Sequence, residues 1–158
     1  MAMAIANRLR QYMKEQGVKF EVVRHPRSGS SMESAETAHI PGDRLAKAVL
    51  LEDEQGYLMA VVPATHRLEL GALHRELNRQ LGLATEREIR ELFWDCASGA
   101  IPPTGAAYGI ETILDDSLTE KPDVYFEGGD HEELVHVNAE QFRNLMTGID
   151  HARISSHM

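Results

Sequence analysis

Apolar residues recur along the chain at two spacings, and the longer spacing predicts helices. In residues 3–16 an apolar side chain returns every three or four positions, and Gly17 can end that helix. Leucines form one stripe along residues 68–81, which predicts a second long helix. Three shorter helices start at capping signals, in which a polar side chain accepts from a free backbone N–H. These signals are Ser30 with Glu33, Thr85 with Glu88 before residues 85–93, and Asn138 with Gln141 before residues 139–146.

Alternating or continuous apolar runs, rich in β-branched and aromatic residues, predict the strands. Residues 46–53 and 57–63 form two such runs around the turn "EQG", which is typical of a hairpin. The other predicted strands are residues 18–25, 110–116, 123–129 and 133–138. Strands and helices do not alternate regularly, which favours an α+β fold with a mixed, partly closed central sheet flanked by helices.

Length and composition indicate an ordinary globular chain. With 158 residues, 42% of them hydrophobic, a single domain over residues 1–158 is expected, and no metal or disulfide is needed to hold it together. Cys96 is the only cysteine, which excludes an internal disulfide and fits a reducing compartment. No apolar run is long enough to span a bilayer, so we expect a cytoplasmic protein without a membrane partner.

The net charge of −9 argues against a protein that coats nucleic acid, because such affinity comes mostly from Lys and Arg at phosphates. Any contact with nucleic acid should be local, such as a small basic pocket around one or two phosphates.

Three segments carry candidate chemistry. Lys47 starts a long apolar strand, where its charge must reach either solvent or an anion. The loop at residues 98–105, "SGAIPPTG", can aim backbone N–H groups at an oxyanion, although most Gly/Pro loops are structural. Asp130 and His131 follow a glycine pair, where the histidine can act as acid, base or orienting donor, though most loop histidines do none of these.

No metal-binding signature connects the histidines, so neither a metal nor another cofactor is expected. Cys96 is interpreted as inert, because the neighbouring Asp95 raises rather than lowers a thiol pKa.

The order of three motifs, "SSMESAETAHIPGDRLAKAVLL", "GAIPPTG" and "GGDHEELVHV", resembles the YbaK/EbsC-like family over roughly residues 5 to 147. That family includes free-standing aminoacyl-tRNA deacylases and the editing domain of bacterial prolyl-tRNA synthetases. The resemblance implies hydrolysis of the ester that joins a wrong, small amino acid to the 3′ end of a tRNA.

The resemblance also implies the site residues and the partners. The expected catalytic residues are Lys47, Gly99 and His131. Lys47 would meet the phosphate or ribose region of the terminal adenosine, and the Gly99 loop would support the attacking water or the carbonyl oxygen. The expected substrate-binding residues are Ser31, His66, Ala100, Ile101, Pro102, Pro103, Thr104, Gly105 and Asp130. The expected partner is the aminoacyl-tRNA acceptor end, with recognition resting on that end alone or on an aminoacyl-tRNA synthetase as well.

Two alternatives stay open at this point. One is a non-catalytic module on the same fold that binds a nucleotide, an RNA end or a protein. The other is a metal-assisted hydrolase that uses His66, His131 and His136. The pair Pro102-Pro103 departs from the single proline of many family members, and leaves the favoured amino acid undetermined.

Overall fold

The computed structural model describes residues 5–26, 31–97, 99–130 and 132–158. Its α-helices within these residues are α1 (Asn7–Glu15), α2 (Ser31–Ala38), α3 (Leu70–Leu77), α4 (Glu86–Leu92), α5 (Asp116–Thr119) and α6 (Ala139–Leu145). Its strands are β1 (Glu21–Arg24), β2 (Leu45–Asp53), β3 (Gly56–Pro63), β4 (His66–Leu68), β5 (Gly82–Leu83), β6 (Glu111–Asp115), β7 (Asp123–Glu127), β8 (Glu133–Asn138), β9 (Asp150–Ala152) and β10 (Ser155–His157). Short 3₁₀ turns cover Gly42–Arg44 and Gly105–Tyr108.

A large mixed sheet forms the centre, in the order β1-β8-β7-β2-β3-β6-β9. The hairpin of β2 and β3 is antiparallel, whereas β7 pairs with β2 and β6 pairs with β3 in parallel. A separate two-stranded ribbon joins β10 to β4. The predicted α+β class, with a mixed sheet and flanking helices, is confirmed.

The two faces of the hairpin are buried in different clusters, because successive strand residues point to opposite sides. Ala46 and Leu50 belong to the larger cluster, which also contains apolar residues of α1 and α6. Leu51 lies in the second cluster together with Leu73 of α3. Burial on both faces explains why the sequence of the hairpin is almost continuously apolar.

One edge of β2 is only partly paired, and this feature positions the site. On one side β3 follows β2 from Ala46 to Asp53. On the other side, β7 pairs with Leu45 and Ala46, and β5 pairs with Leu51 and Glu52. Within the described part of the chain, the strand is therefore open between these two pairings.

The helix predicted for residues 68–81 is wrong at both ends. Leu68 belongs to β4, and α3 ends at Leu77 because Asn78 adopts a left-handed conformation with φ of 53°. Leu68 pairs instead with Ser155, a residue far along the chain. Neither β9 nor β10 was predicted.

The capping predictions have mixed outcomes. The box of Thr85 and Glu88 is confirmed, and the Asn138 side chain accepts from the Gln141 N–H at 2.9 Å. The Gln141 side chain does not complete that second box, since it accepts from the Lys19 N–H. The predicted box of Ser30 and Glu33 lies outside the described residues.

Among the described helices, none combines the length and the apolar character that a bilayer crossing requires.

Candidate functional site

A pocket of about 340 Å³ lies in the gap beside β2. The open stretch of the strand forms one wall, and β5, α4 and the Gly/Pro loop form the others. The lining residues are Lys47, Ala48, Val49, Leu50, Leu83, Ala84, Glu86, Ile89, Gly99 and Ile101. Two predicted catalytic residues, Lys47 and Gly99, thus border one cavity.

Lys47 borders this pocket, and its ammonium reaches β4. It shares a strand face with Leu45 and Val49, and Nζ donates to the His66 carbonyl oxygen at 3.1 Å. Burial lowers the pKa of Lys47. An ammonium has three N–H donors, and the His66 carbonyl is the partner of Nζ among the described residues, so donors remain for an anion.

Some residues of the Gly/Pro loop, residues 98–105, line the pocket and others are buried away from it. Gly99, with φ of 78°, and Ile101 line the pocket. The other predicted substrate-binding residues of the loop are buried and lie outside the pocket lining: Ala100, Pro102, Pro103, Thr104 and Gly105. The loop is tied to the end of β7, because the Ala97 N–H donates to the Gly129 carbonyl at 2.6 Å. The structure therefore brings the segments that carry the motifs "GAIPPTG" and "GGDHEELVHV" together.

The remaining predicted residues lie elsewhere. Asp130 caps the turn before β8, where its Oδ1 accepts from the backbone N–H groups of Glu132 and Glu133 at 3.0 Å each. The His66 ring lies outside the pocket lining and its Nδ1 is 2.8 Å from Ser155 Oγ. Ser31 is the first residue of α2, but its side chain is outside the described part, as is all of His131.

Glu127 is a buried carboxyl that the sequence analysis missed. It ends β7, and since Ala46 pairs with Phe126 in a parallel ladder, Glu127 comes next in register beside Lys47. Its Oε1 accepts from Ser34 Oγ at 2.6 Å. Burial raises the pKa of Glu127 to about 7, with the Asp130 charge adding to the rise and the Ser34 bond opposing it. A carboxylate closing the apolar run "VYFE" was the available signal.

Three groups therefore lie near one another: the Lys47 ammonium near the start of β2, the Gly99 loop, and the Glu127 carboxyl at the end of β7, whose pKa is about 7. Such groups can position a substrate anion and a water molecule. Burial raises the pKa of Cys96 to about 12, so this thiol is not activated as a nucleophile. Among the described residues, no group of three or more His, Cys, Asp or Glu side chains is arranged to hold a metal ion.

Comparison with solved structures supports the same architecture. A candidate trans-editing enzyme for prolyl-tRNA synthetase is similar at 26% identity and a TM-score of 0.83, with 99% of each chain covered. A scaffold protein from computational epitope grafting is similar in fold at 22% identity and a TM-score of 0.83, with 100% of each chain covered. A candidate signal-transduction protein from Marinobacter aquaeolei is similar at 25% identity and a TM-score of 0.75, covering 94% of this chain and 30% of that one.

Comparison with curated protein sequences found no match. The family model described as the aminoacyl-tRNA editing domain matches residues 25–145, a segment that contains β2, the Gly/Pro loop and Glu127. Because this match spans well over half of the sequence, the chain belongs to the aminoacyl-tRNA editing domain family.

Proposed function

We propose that this chain is a free-standing deacylase that hydrolyses the ester of misacylated tRNA carrying a small amino acid. The observation that carries the proposal is the meeting of Lys47 and Gly99 at one pocket, within the segment that matches the editing family. In the reaction, water attacks the ester carbonyl carbon and the bond from that carbon to the ribose oxygen breaks. The ribose oxygen leaves with a proton, and the free amino acid is released.

Each part of the pocket has a role in this proposal. The spare donors of the Lys47 ammonium bind the phosphate or ribose of the terminal nucleotide. The Gly99 backbone supports the attacking water or the carbonyl oxygen as negative charge develops there. An aminoacyl ester is already reactive, so positioning and oxyanion stabilisation account for the hydrolysis without a covalent nucleophile.

We expect the pocket to accept only small aminoacyl side chains and to discriminate poorly among them. Apolar side chains such as Ile89 and Ile101 line the pocket, and one methylene in such a pocket changes specificity by only about 10- to 200-fold. Alanine, serine and cysteine esters should therefore all be substrates. Since a similar structure is described as a trans-editing enzyme for prolyl-tRNA synthetase, misacylated proline tRNA is the first substrate to test.

The test is ester loss from a panel of misacylated tRNAs, with the wild type beside Lys47→Ala. Lys14→Ala is the matched control, because Lys14 is exposed on α1 and remote in sequence from the pocket. We expect loss of about 100-fold or more in activity for Lys47→Ala and no change for the control. Absence of turnover by the wild type on every ester would refute the proposal, and binding of the acceptor end without turnover would favour the non-catalytic module.

A further inference from the structure

The backbone of Ala48 faces the pocket rather than β3. In the antiparallel hairpin, the Ala64 N–H donates to the Leu45 carbonyl, so the odd-numbered residues of β2 direct their backbone polar groups toward β3. The even-numbered residues direct theirs to the opposite side. Leu50 confirms this assignment, because its carbonyl accepts from the Ala84 N–H at 3.0 Å, on the β5 side.

Ala48 lies in the middle of the open edge. The ladder with β7 stops at Ala46 and the ladder with β5 starts at Leu51, so no strand in the described part of the chain pairs with Ala48 on that side. One N–H donor and one C=O acceptor of the same residue are therefore directed into the pocket that Ala48 lines. A backbone pair left without partners away from water is costly, so a ligand that satisfies both gains affinity.

We propose that Ala48 binds the aminoacyl group of the substrate as if that group were one residue of an antiparallel strand. The α-ammonium donates to the Ala48 carbonyl, and the ester carbonyl accepts from the Ala48 N–H. This inference rests on the proposed deacylase function and adds the recognition of the amino-acid backbone to it. The fit follows from chemistry, since an aminoacyl group carries its donor and its acceptor on either side of one tetrahedral carbon, as a strand residue does.

The antiparallel arrangement fixes the direction of the substrate. The ester oxygen and the tRNA lie toward the Lys47 end of the gap, and the α-ammonium lies toward β5 and α4. Glu86, at the start of α4, lines the pocket and carries the charge opposite to that of the ammonium. The charges at both ends of the pocket therefore agree with this direction.

The same arrangement predicts chirality. Opposed residues of an antiparallel pair project their side chains to the same face of the sheet. An L-aminoacyl side chain thus lies on the face of Ala48, where Ile89 and Ile101 pack against the larger cluster. A D-aminoacyl side chain would point to the other face and lose these contacts.

The experiment compares three esters on one tRNA: L-alanyl, D-alanyl and propionyl, the last lacking only the amino group. Each rate is divided by the spontaneous hydrolysis rate of the same ester, because the ammonium also activates the ester intrinsically. We expect the normalised kcat/KM to fall about 10- to 100-fold for propionyl. We expect a drop of at least about 10-fold for D-alanyl.

A second measurement reports binding directly. The ligand is adenosine with alanine joined to its 3′ position by an amide, which is hydrolysed much more slowly than an ester. It is titrated into the ¹⁵N-labelled protein. The Ala48 amide signal should shift and become protected from hydrogen exchange, while the Val49 amide, which points to β3, should not. Equal normalised rates for L-alanyl and propionyl esters, or shifts at Ile101 without a shift at Ala48, would overturn the inference while the deacylase function stands. If no ester is hydrolysed at all, the deacylase function falls and the inference falls with it.

Discussion

Replacing Glu127 with glutamine should remove a pH-dependent loss of stability that this buried carboxyl causes. The pKa of Glu127 in the folded protein is about 7, against an ordinary value of 4.5. Between these values the folded protein keeps a proton that the unfolded chain has released. The free energy of unfolding therefore falls as the pH rises through this window, and levels off above the folded pKa. Glutamine has the same size, can accept the bond from Ser34 Oγ and carries no charge.

The size of the effect follows from the two pKa values. Each pH unit of difference corresponds to about 1.4 kcal/mol, so the full cost of ionising Glu127 in the folded state is about 3 kcal/mol. About 2–3 kcal/mol of this cost develops between about pH 5 and about pH 8. The Glu127→Gln variant should gain that much stability over the wild type across this range.

Urea unfolding of both proteins across the same pH range measures this difference. Glu54→Gln is the matched control, since Glu54 is exposed in the β2–β3 turn and its replacement should change the free energy of unfolding by no more than about 0.5 kcal/mol. A stability difference between Glu127→Gln and the wild type that stays constant with pH would show that the carboxyl does not titrate in this window, and would refute the reasoning.

Two further predictions concern the packing and capping of segments that flank the pocket. Gly105→Ala should lower the free energy of unfolding by about 1–3 kcal/mol, because the added methyl group would collide with Thr112 Oγ1. Gly82→Ala is the control, since its added methyl group lies in open space. Equal urea midpoints for the two variants would contradict the packing argument. Thr85→Ala should cost about 1 kcal/mol by removing the capping box with Glu88 at the start of α4, and Thr85→Ser should keep most of it, as thermal unfolding would register. An unchanged midpoint for Thr85→Ala would mean that the cap does not stabilise the folded state.

Local signals in the sequence predicted the elements that local interactions determine. The start of α4 was predicted because Thr85 and Glu88 satisfy each other's backbone within one turn. The hairpin was predicted because its apolar runs need only a short turn between them. These features depend on residues that are close in sequence.

Elements that depend on distant residues were missed. Leu68 continues the leucine stripe of α3 in the sequence, yet it belongs to β4 and pairs with Ser155 of β10. The polar segment Ser155–His157 has no strand signal of its own. Tertiary pairing therefore overrode the local pattern.

The candidate site likewise contains residues that sequence motifs identified and residues that only the folded structure revealed. Lys47 and the Gly99 loop were recognised by their motifs, and the structure places both at one pocket. The role proposed for Ala48 could not be read from its side chain, because the proposal rests on a gap between β7 and β5 that only the strand registers reveal. Glu127 was overlooked because its pKa depends on burial beneath α2 and beside Asp130.

The β4–β10 ribbon has a practical consequence for handling the protein. The carbonyl that accepts from the Lys47 ammonium belongs to His66, and His66 pairs with His157 at the far end of the sequence. A shortened chain that stops before Ser155, or an affinity tag joined directly after His157, would alter the strand that holds this lysine. Affinity tags are therefore better joined ahead of α1, through a spacer, so that the β4–β10 ribbon is unaltered in every variant that is assayed.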